Sequence, residues 1–272
     1  MDARTLGNWT NEIENADVVI NLAGRSVNCR YNEKNRCEII ESRVDSTRAI
    51  GQAIAQAAKP PSLWLQMSTA TIYAHRFDAP NDESTGIIGG NEPDVPETWR
   101  FSIEVAKAWE RAVDGVDTPH TRKVKMRSAM VMSPDKDGVF DTLLTLVKRG
   151  LGGRAGDGRQ YVSWIHHEDF VRAVYRLIDD EKIEGAVNLS APHPLPNQEF
   201  MSQLREASGV SFGLPATKLM LEIGAVFMKT ETELILKSRR VVPKKLLDAD
   251  FDFEFETWQK AARNLCGKSA RC

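Results

Sequence analysis

The stretch "ADVVINLAGRSV", residues 16–27, decides the fold. An apolar run, Val18-Val19-Ile20, passes straight into Asn21-Leu22-Ala23-Gly24. Small residues at the end of a buried strand let a ligand or another backbone approach closely. The pattern predicts a strand over 16–21 and, just beyond it, a turn against which something packs.

Working outward, helical spacing predicts a helix over 36–57, with Ile40, Val44, Thr47, Ile50 and Ile54 on one face and Pro60-Pro61 as its stop. "SLWLQMST", 62–69, reads as the next strand. A polar loop over 74–97 is too long for a simple connector. A helix follows over 98–113, with Phe101, Val105, Trp109 and Ala112 along one side. "RKVKMRSAMVM", 122–132, reads as one strand, followed by a helix near 138–150. A short strand "YVSWI" at 161–165, a helix over 167–180 and a strand "GAVNLS" at 185–190 complete the alternation. Such alternation predicts an α/β, Rossmann-like, doubly wound parallel sheet. Beyond about 195 helices dominate, over 197–208 with Asn197 as N-cap, 216–228, 231–238 and 257–266. The expected organisation is a main domain over 1–190 and a small, mainly helical lobe over 191–272.

Composition narrows the function. Of 272 residues, 42% are apolar and 27% charged, ordinary for a globular chain. A net charge of −2 argues against a nucleic-acid partner. The apolar stretch 219–228 carries Glu222 and is too short to span a bilayer, so no membrane partner is expected. Asp2, Arg4, Asn8 and Asn11 interrupt any leader-like apolar segment. Cys29, Cys37, Cys266 and Cys272 form no Cys-x-x-Cys pair, which points to a reducing cytoplasm.

Ligands of open parallel sheets bind beyond the carboxyl ends of the strands. Asn21–Gly24 is one such exit. Ser68-Thr69-Ala70-Thr71-Ile72-Tyr73 is a second, rich in hydroxyls that can bond a substrate oxygen or cap the next turn. "GLGGRAGDG", 150–158, follows a helix and opens a strand, the reverse of a dinucleotide loop, and reads as a turn lining a substrate pocket beside Gln160. In "WIHHEDF" the pattern His-Glu-x-x-His fails at Val171, so no metal is expected, and Glu168 and Asp169 read as favourable in a first helical turn. Lys237, Arg239, Arg240, Lys244 and Lys245 read as a solvated face or, alternatively, as facing a phosphorylated ligand.

Taken together these pieces resemble the extended short-chain dehydrogenase/reductase superfamily, and within it the sugar-nucleotide-epimerase-like family that ends in a short domain of unknown function, DUF1731. "DVVINLAG" resembles the family's fourth strand and its Asn-x-x-Gly turn, and "ESRVDSTRAIGQAI" its Ser-Arg-x-x-x-Thr helix. "SWIHHEDFVRAV" resembles its Trp-Ile-His-x-x-Asp segment, and "LKSRRVVPKKLLDADFDF" its end-piece. The resemblance implies NADP or NAD as cofactor. Asn21, Leu22, Ala23 and Gly24 would pass along it, with Ser68, Arg127, Ser128 and Ala129 near its nicotinamide end. Thr69 falls at the catalytic Ser/Thr position. Trp164 and His166, with Gln160, are expected in the substrate pocket.

Two departures from the family pattern stand out. No glycine precedes Gly7 and the next is Gly24, so the Gly-rich loop and about two βα units expected upstream are missing. The superfamily's Tyr-x-x-x-Lys is also absent. Phe101 and Val105, or Ser102 and Ala106, stand in its place, and none of Tyr31, Tyr73, Tyr161 and Tyr175 has a lysine four residues on. Tyr73 with Lys107 is the substitute pair that the sequence offers. The expectation is an epimerase or reductase acting on a carbonyl or hydroxyl of a small, sugar-like substrate; the alternative is an inert binding or regulatory scaffold. Partners expected are a small molecule and a second copy in a homodimer.

Overall fold

Val18, Leu63, Val124 and Val187 belong to four short segments that lie side by side as parallel strands. The structure is a computed structural model and describes residues 4–93, 95–217 and 236–269. β1 (Val18–Asn21), β2 (Leu63–Thr69), β3 (Arg122–Ser128) and the strand Gly185–Leu189 form a sheet in that order. Leu63, Leu65, Val124, Met126, Val187 and Leu189 are buried against the helix His167–Asp179, as a sheet covered on both faces requires. Register brings Thr69 beside Ser128 and Ser128 beside Leu189. Two hydroxyl residues therefore end adjacent strands at the same height.

α1 (Glu33–Gln56) starts three residues before the sequence suggests. Asn32 caps it, its side chain accepting the Asn35 N–H at 2.9 Å. α2 (Glu97–Asp114) buries Phe101, Val105, Trp109 and Ala112 as their spacing predicts. α3 is Val139–Lys148. Segment 122–132 is not one strand. Ala129 donates its N–H to the Leu189 carbonyl, and the chain then leaves the sheet as β4 (Met130–Met132). Segment 161–165 divides likewise at Ser163. β5 (Tyr161–Val162) pairs antiparallel with β8 (Leu195–Pro196), while β6 (Trp164–His166) pairs parallel with β4. The intervening helix 167–179 is α4 and the strand 185–189 is β7.

The Ser163 break has a physical cause. Its hydroxyl donates to the Arg239 carbonyl at 2.5 Å and accepts the Val241 N–H at 2.8 Å, so it clamps residues 239–241 across the strand ends. Asn197 is not the N-cap of α5 (Asn197–Ala207) but its first residue. Its Oδ1 accepts the Ala155 N–H at 2.8 Å, which ties the glycine-rich turn to the helix. Two short C-terminal helices follow, α6 (Lys244–Asp248), which the sequence pattern did not suggest, and α7 (Trp258–Ser269). Trp258 stacks on Phe200 at 4.1 Å and meets Trp164 edge-on at 5.1 Å, so α7 closes a core with α3, α5 and β6. Of the helix expected over 216–228, Ala216 instead forms a β-bridge with Ala155; residues 218–228, including the stretch 219–228, and most of 231–238 lie outside the described residues. No helix among the described residues is long and apolar enough to cross a membrane.

Candidate functional site

The β2 exit begins with Thr69, whose hydroxyl accepts the Thr71 N–H and so caps a 3₁₀ turn, Ala70–Ile72. That turn keeps Thr69 and Thr71 at the rim while Ala70 and Ile72 are buried. Ser128 stands next to Thr69 on β3, its hydroxyl donating to the Ala129 carbonyl at 2.8 Å. Thr69, Thr71, Ser128 and Ala129 line a cavity of about 190 Å³. α1 and α2 supply its apolar wall through Ile39, Phe101, Val105 and Trp109. The expected hydroxyl-rich exit thus faces a cavity and caps a turn at once.

Four polar wall residues stand outside the expected site set, although one of them, Arg239, belongs to the basic run read alternatively as facing a ligand. Tyr31, from the β1–α1 loop, packs edge-on against Phe101 at 5.0 Å, and the Ser102 hydroxyl donates to its phenol oxygen at 3.5 Å. Arg43 lies over the Trp109 ring at 5.0 Å and donates to the Ile39 carbonyl. Burial pulls the Arg43 guanidinium below its ordinary pKa, and the nearby Tyr31 phenol opposes that shift. Arg43 has no ion-pair partner among the described residues. Arg239 completes the wall, its Nε donating to the Thr71 hydroxyl at 3.2 Å. A sequence signal existed for three of them: Arg43 in the Ser-Arg-x-x-x-Thr helix, Ser102 in the position of the missing Tyr, and Arg239 in the basic run. Tyr31 had none, because the β1–α1 loop carries no periodicity.

The basic run corrects one expectation. Lys237 and Arg239 are not a solvated face but are buried, Lys237 donating to the Thr71 carbonyl at 2.7 Å.

Other expected site residues fall behind or beside the cavity. Asn21 is buried, its Nδ2 bonded to Gln66 Oε1 and its Oδ1 accepting the Ala23 N–H, so it shapes the turn. Leu22 and Gly24 are exposed and Ala23 half-buried at that turn. A Cβ built on Gly24 would come within 3.3 Å of Arg43 Cζ. Ser68 and Arg127 both bind Glu110. The Ser68 hydroxyl donates at 2.7 Å, and the Arg127 fork spans both carboxylate oxygens at 2.8 Å. Tyr73 belongs to the same buried network. Its phenol accepts from Arg127 Nη1 and donates to Asn188 Oδ1, each at 2.9 Å. Burial pushes the Tyr73 phenol above its ordinary pKa against the pull of Arg127. The Arg127 pKa, which burial alone would lower, is raised by Glu110. Lys107 is not Tyr73's partner, since a Cβ on Gly90 would stand 3.2 Å from its Nζ whereas Arg127 holds the phenol.

Gln160, Trp164 and His166 are buried and none lines this cavity. Gln160 bonds the Ala155 carbonyl, and Trp164 lies in the α3–α5–α7 core. His166 accepts the Glu168 N–H and caps α4, with its ring stacked 3.7 Å from Phe255. Asp169 is fully buried and accepts the N–H groups of Glu254 and Phe255, a tertiary role its sequence position did not suggest.

Residues 1–190 match the NAD dependent epimerase/dehydratase family. The chain belongs to that family. Residues 216–265 match the domain of unknown function DUF1731. Epimerase family protein SSP1921 of Staphylococcus saprophyticus is 29% identical over 95% of this chain and 82% of that protein. Epimerase family protein SDR39U1 of Homo sapiens is 27% identical over 93% of this chain and 83% of that protein. The crystal structure of the human SDR39U1 isoform 2 with NADPH superposes with a TM-score of 0.83 at 25% identity, over 97% of this chain and 89% of that one. A structure of MoeE5 with UDP-glucuronic acid and NAD shares the fold at 17% identity and a TM-score of 0.74, over 100% of this chain and 84% of that one. Rossmann-like architecture and epimerase-family membership are thereby established for this chain.

Proposed function

We propose that this member of the epimerase/dehydratase family binds a nicotinamide dinucleotide and interconverts a carbonyl and a hydroxyl on a small substrate. The observation that carries the reading is the in-register pair Thr69 and Ser128, facing one cavity at the carboxyl ends of adjacent parallel strands. The donor set suits the cofactor. Backbone at Leu22, Ala23 and Gly24 would carry it past the mouth of the cavity, and Ser128 and Ala129 would meet its nicotinamide end. When bound, that ring supplies or accepts the hydride.

The chain's own residues handle the oxygen and its proton. Thr69 orients the reacting oxygen through its hydroxyl. In the reductive direction the Tyr31 phenol gives its proton to that oxygen, and solvent returns one to the phenol. Ser102 holds the phenol by its hydrogen bond, and Arg43 steadies the negative charge that passes through it. This trio supports the reading because it offers a phenol and a cation at one cavity, although the superfamily's helical Tyr-x-x-x-Lys is missing.

NADPH is the first cofactor to titrate, by calorimetry on the folded chain, followed by NADPH oxidation against a carbonyl panel. Binding with turnover, lost in Thr69→Ala, is the expected result. Binding without turnover by any carbonyl returns the chain to the alternative of an inert scaffold, and no binding by a folded chain removes the dinucleotide reading.

A further inference from the structure

Phe101 and Val105 stand in one register of the missing Tyr-x-x-x-Lys, and both line the cavity. A wall that would have carried a phenol and an ammonium is therefore apolar. Trp109 of α2, Ile39 of α1, Val27 of the β1–α1 loop and Met130 of β4 continue it. Tyr31, Phe101 and Trp109 are three aromatic residues around one space, the first two meeting edge to face at 5.0 Å.

The polar groups of the wall are few, and the chain itself engages them. The Thr71 hydroxyl accepts from Arg239, the Ser128 hydroxyl donates to the Ala129 carbonyl, and the Ser102 hydroxyl donates to the Tyr31 phenol oxygen. Arg43 lies over the Trp109 ring and donates to the Ile39 carbonyl. Thr69 accepts the Thr71 N–H, which leaves its hydroxyl proton for one ligand oxygen. Among the described residues no carboxylate, side-chain amide, lysine or histidine lines the cavity. The adjacent hydroxyls of a sugar call for groups of that kind, which present several donors or acceptors at once. A polyol buried here would give up its water without replacement. A single carbonyl oxygen is served by Thr69.

Volume sets the size of the occupant. An apolar protein cavity of about 150 Å³ takes up benzene. A space of about 190 Å³ therefore holds a single ring with a short carbonyl arm, not the bulk of a nucleotide. Resting on the reading of this cavity as the substrate site, we propose that the substrate is a small aryl ketone or aldehyde rather than a polyol, and that Phe101 and Val105 select it. The ring packs on Phe101, Val105 and Trp109, where edge-to-face contacts favour an aromatic group over an open chain. The carbonyl points to Thr69 at the strand ends.

The test compares acetophenone with dihydroxyacetone, both ketones, one with a phenyl and a methyl group and the other with hydroxymethyl groups. Binding is read from the Trp109 indole N–H resonance, assigned with Trp109→Phe, and needs neither cofactor nor turnover. Acetophenone should bind the unaltered chain roughly tenfold or more tighter, as burial of a phenyl group implies. Val105→Thr keeps the shape and adds a hydroxyl, and Phe101→Leu removes a ring. Each folded variant should narrow the preference by about threefold or more. Equal affinities, tighter dihydroxyacetone, no response of the Trp109 resonance to acetophenone, or a preference untouched in both folded variants would each overturn the proposal. NADPH is then titrated into the acetophenone complex. Displacement of acetophenone would give the space to the dinucleotide and overturn the proposal as well, whereas both bound together supports it. Ring-selective binding by a chain that takes no NADPH removes the nicotinamide function and keeps the ligand class, and NADPH binding without ring selectivity does the reverse.

Discussion

Tyr31 and Tyr73 occupy comparable places with opposite surroundings. Each lies in the connection that follows a strand of the sheet, each is buried, and each has an arginine nearby. Around Tyr73 the charges are closed: Arg127 is forked by Glu110, and the phenol is held from both sides by Arg127 and Asn188. Around Tyr31 the arginine, Arg43, has no carboxylate partner among the described residues, and the phenol lines a cavity. A charge whose partners are all supplied by the chain holds strands together. A charge that lines a cavity holds no strands together in this way.

Glu110→Ala should test the closed region most severely. It leaves the Arg127 guanidinium buried and unpaired, and urea unfolding should show a loss of about 3–5 kcal/mol. A loss near that of a surface ion pair would mean that water reaches Arg127, and the contrast would weaken.

Exchanging the two phenols sharpens the comparison next. Tyr31→Phe should cut turnover by about a hundredfold or more with a reducible carbonyl, at little cost in stability. Tyr73→Phe should do the opposite, costing about 1–3 kcal/mol by leaving Arg127 Nη1 and Asn188 Oδ1 without the phenol they share, with turnover retained per folded molecule. Steady-state kinetics beside unfolding curves would read both, and equal kinetic losses would erase the distinction.

Arg43→Met gives a smaller structural effect. The guanidinium contributes one backbone hydrogen bond and a stack on Trp109 and is partly desolvated, so stability should move by no more than about 1 kcal/mol. A change as large as that of Glu110→Ala would place Arg43 among the structural charges.

The smallest effect is a pH dependence at His75. Burial, and then the charge of Lys237, lower its pKa from 6.5, and its Nδ1 accepts the Ser238 N–H. A base whose folded pKa lies below its unfolded one contributes stability above pH 6.5 and loses it as pH falls through the folded value. Thermal unfolding should therefore lose stability below pH 6.5, less so in His75→Gln. An unchanged slope in that variant would assign the loss to other groups.

Much of this was legible in the chain. The apolar runs at 18–20 and 63–65, the alternation of Val124 and Met126 with polar residues, and the helical faces of α1 and α2, in alternating order along the chain, announce a parallel α/β sheet. The strand exits at Asn21–Gly24 and Ser68–Tyr73 could be located from position alone, and Thr69 to Thr71 of the second line the cavity. Not legible was which residue on an exit faces the cavity. Thr69 and Ser128 face it, while Ser68 and Arg127, one residue earlier on the same strands, turn the other way onto Glu110, since side chains alternate along a strand. The breaks at Ala129 and Ser163 were hidden because they depend on partners in β6 and in residues 239–241, far away in sequence.

The sequence by itself determined the class of sheet, the order of its units and the two strand exits, all of which follow from local periodicity and short-range turn chemistry. Tertiary structure alone decided the charges. A basic run that looks solvated becomes a buried strap because Ser163, His75 and Asn81 hold its backbone over the cavity. A tyrosine in an aperiodic loop becomes a cavity wall because Phe101 and Ser102 meet it from another helix. Hydrogen bonds and ring contacts between residues so far apart in the chain leave no pattern along it, and these contacts decide which arginine is forked by a carboxylate and which one lines the cavity.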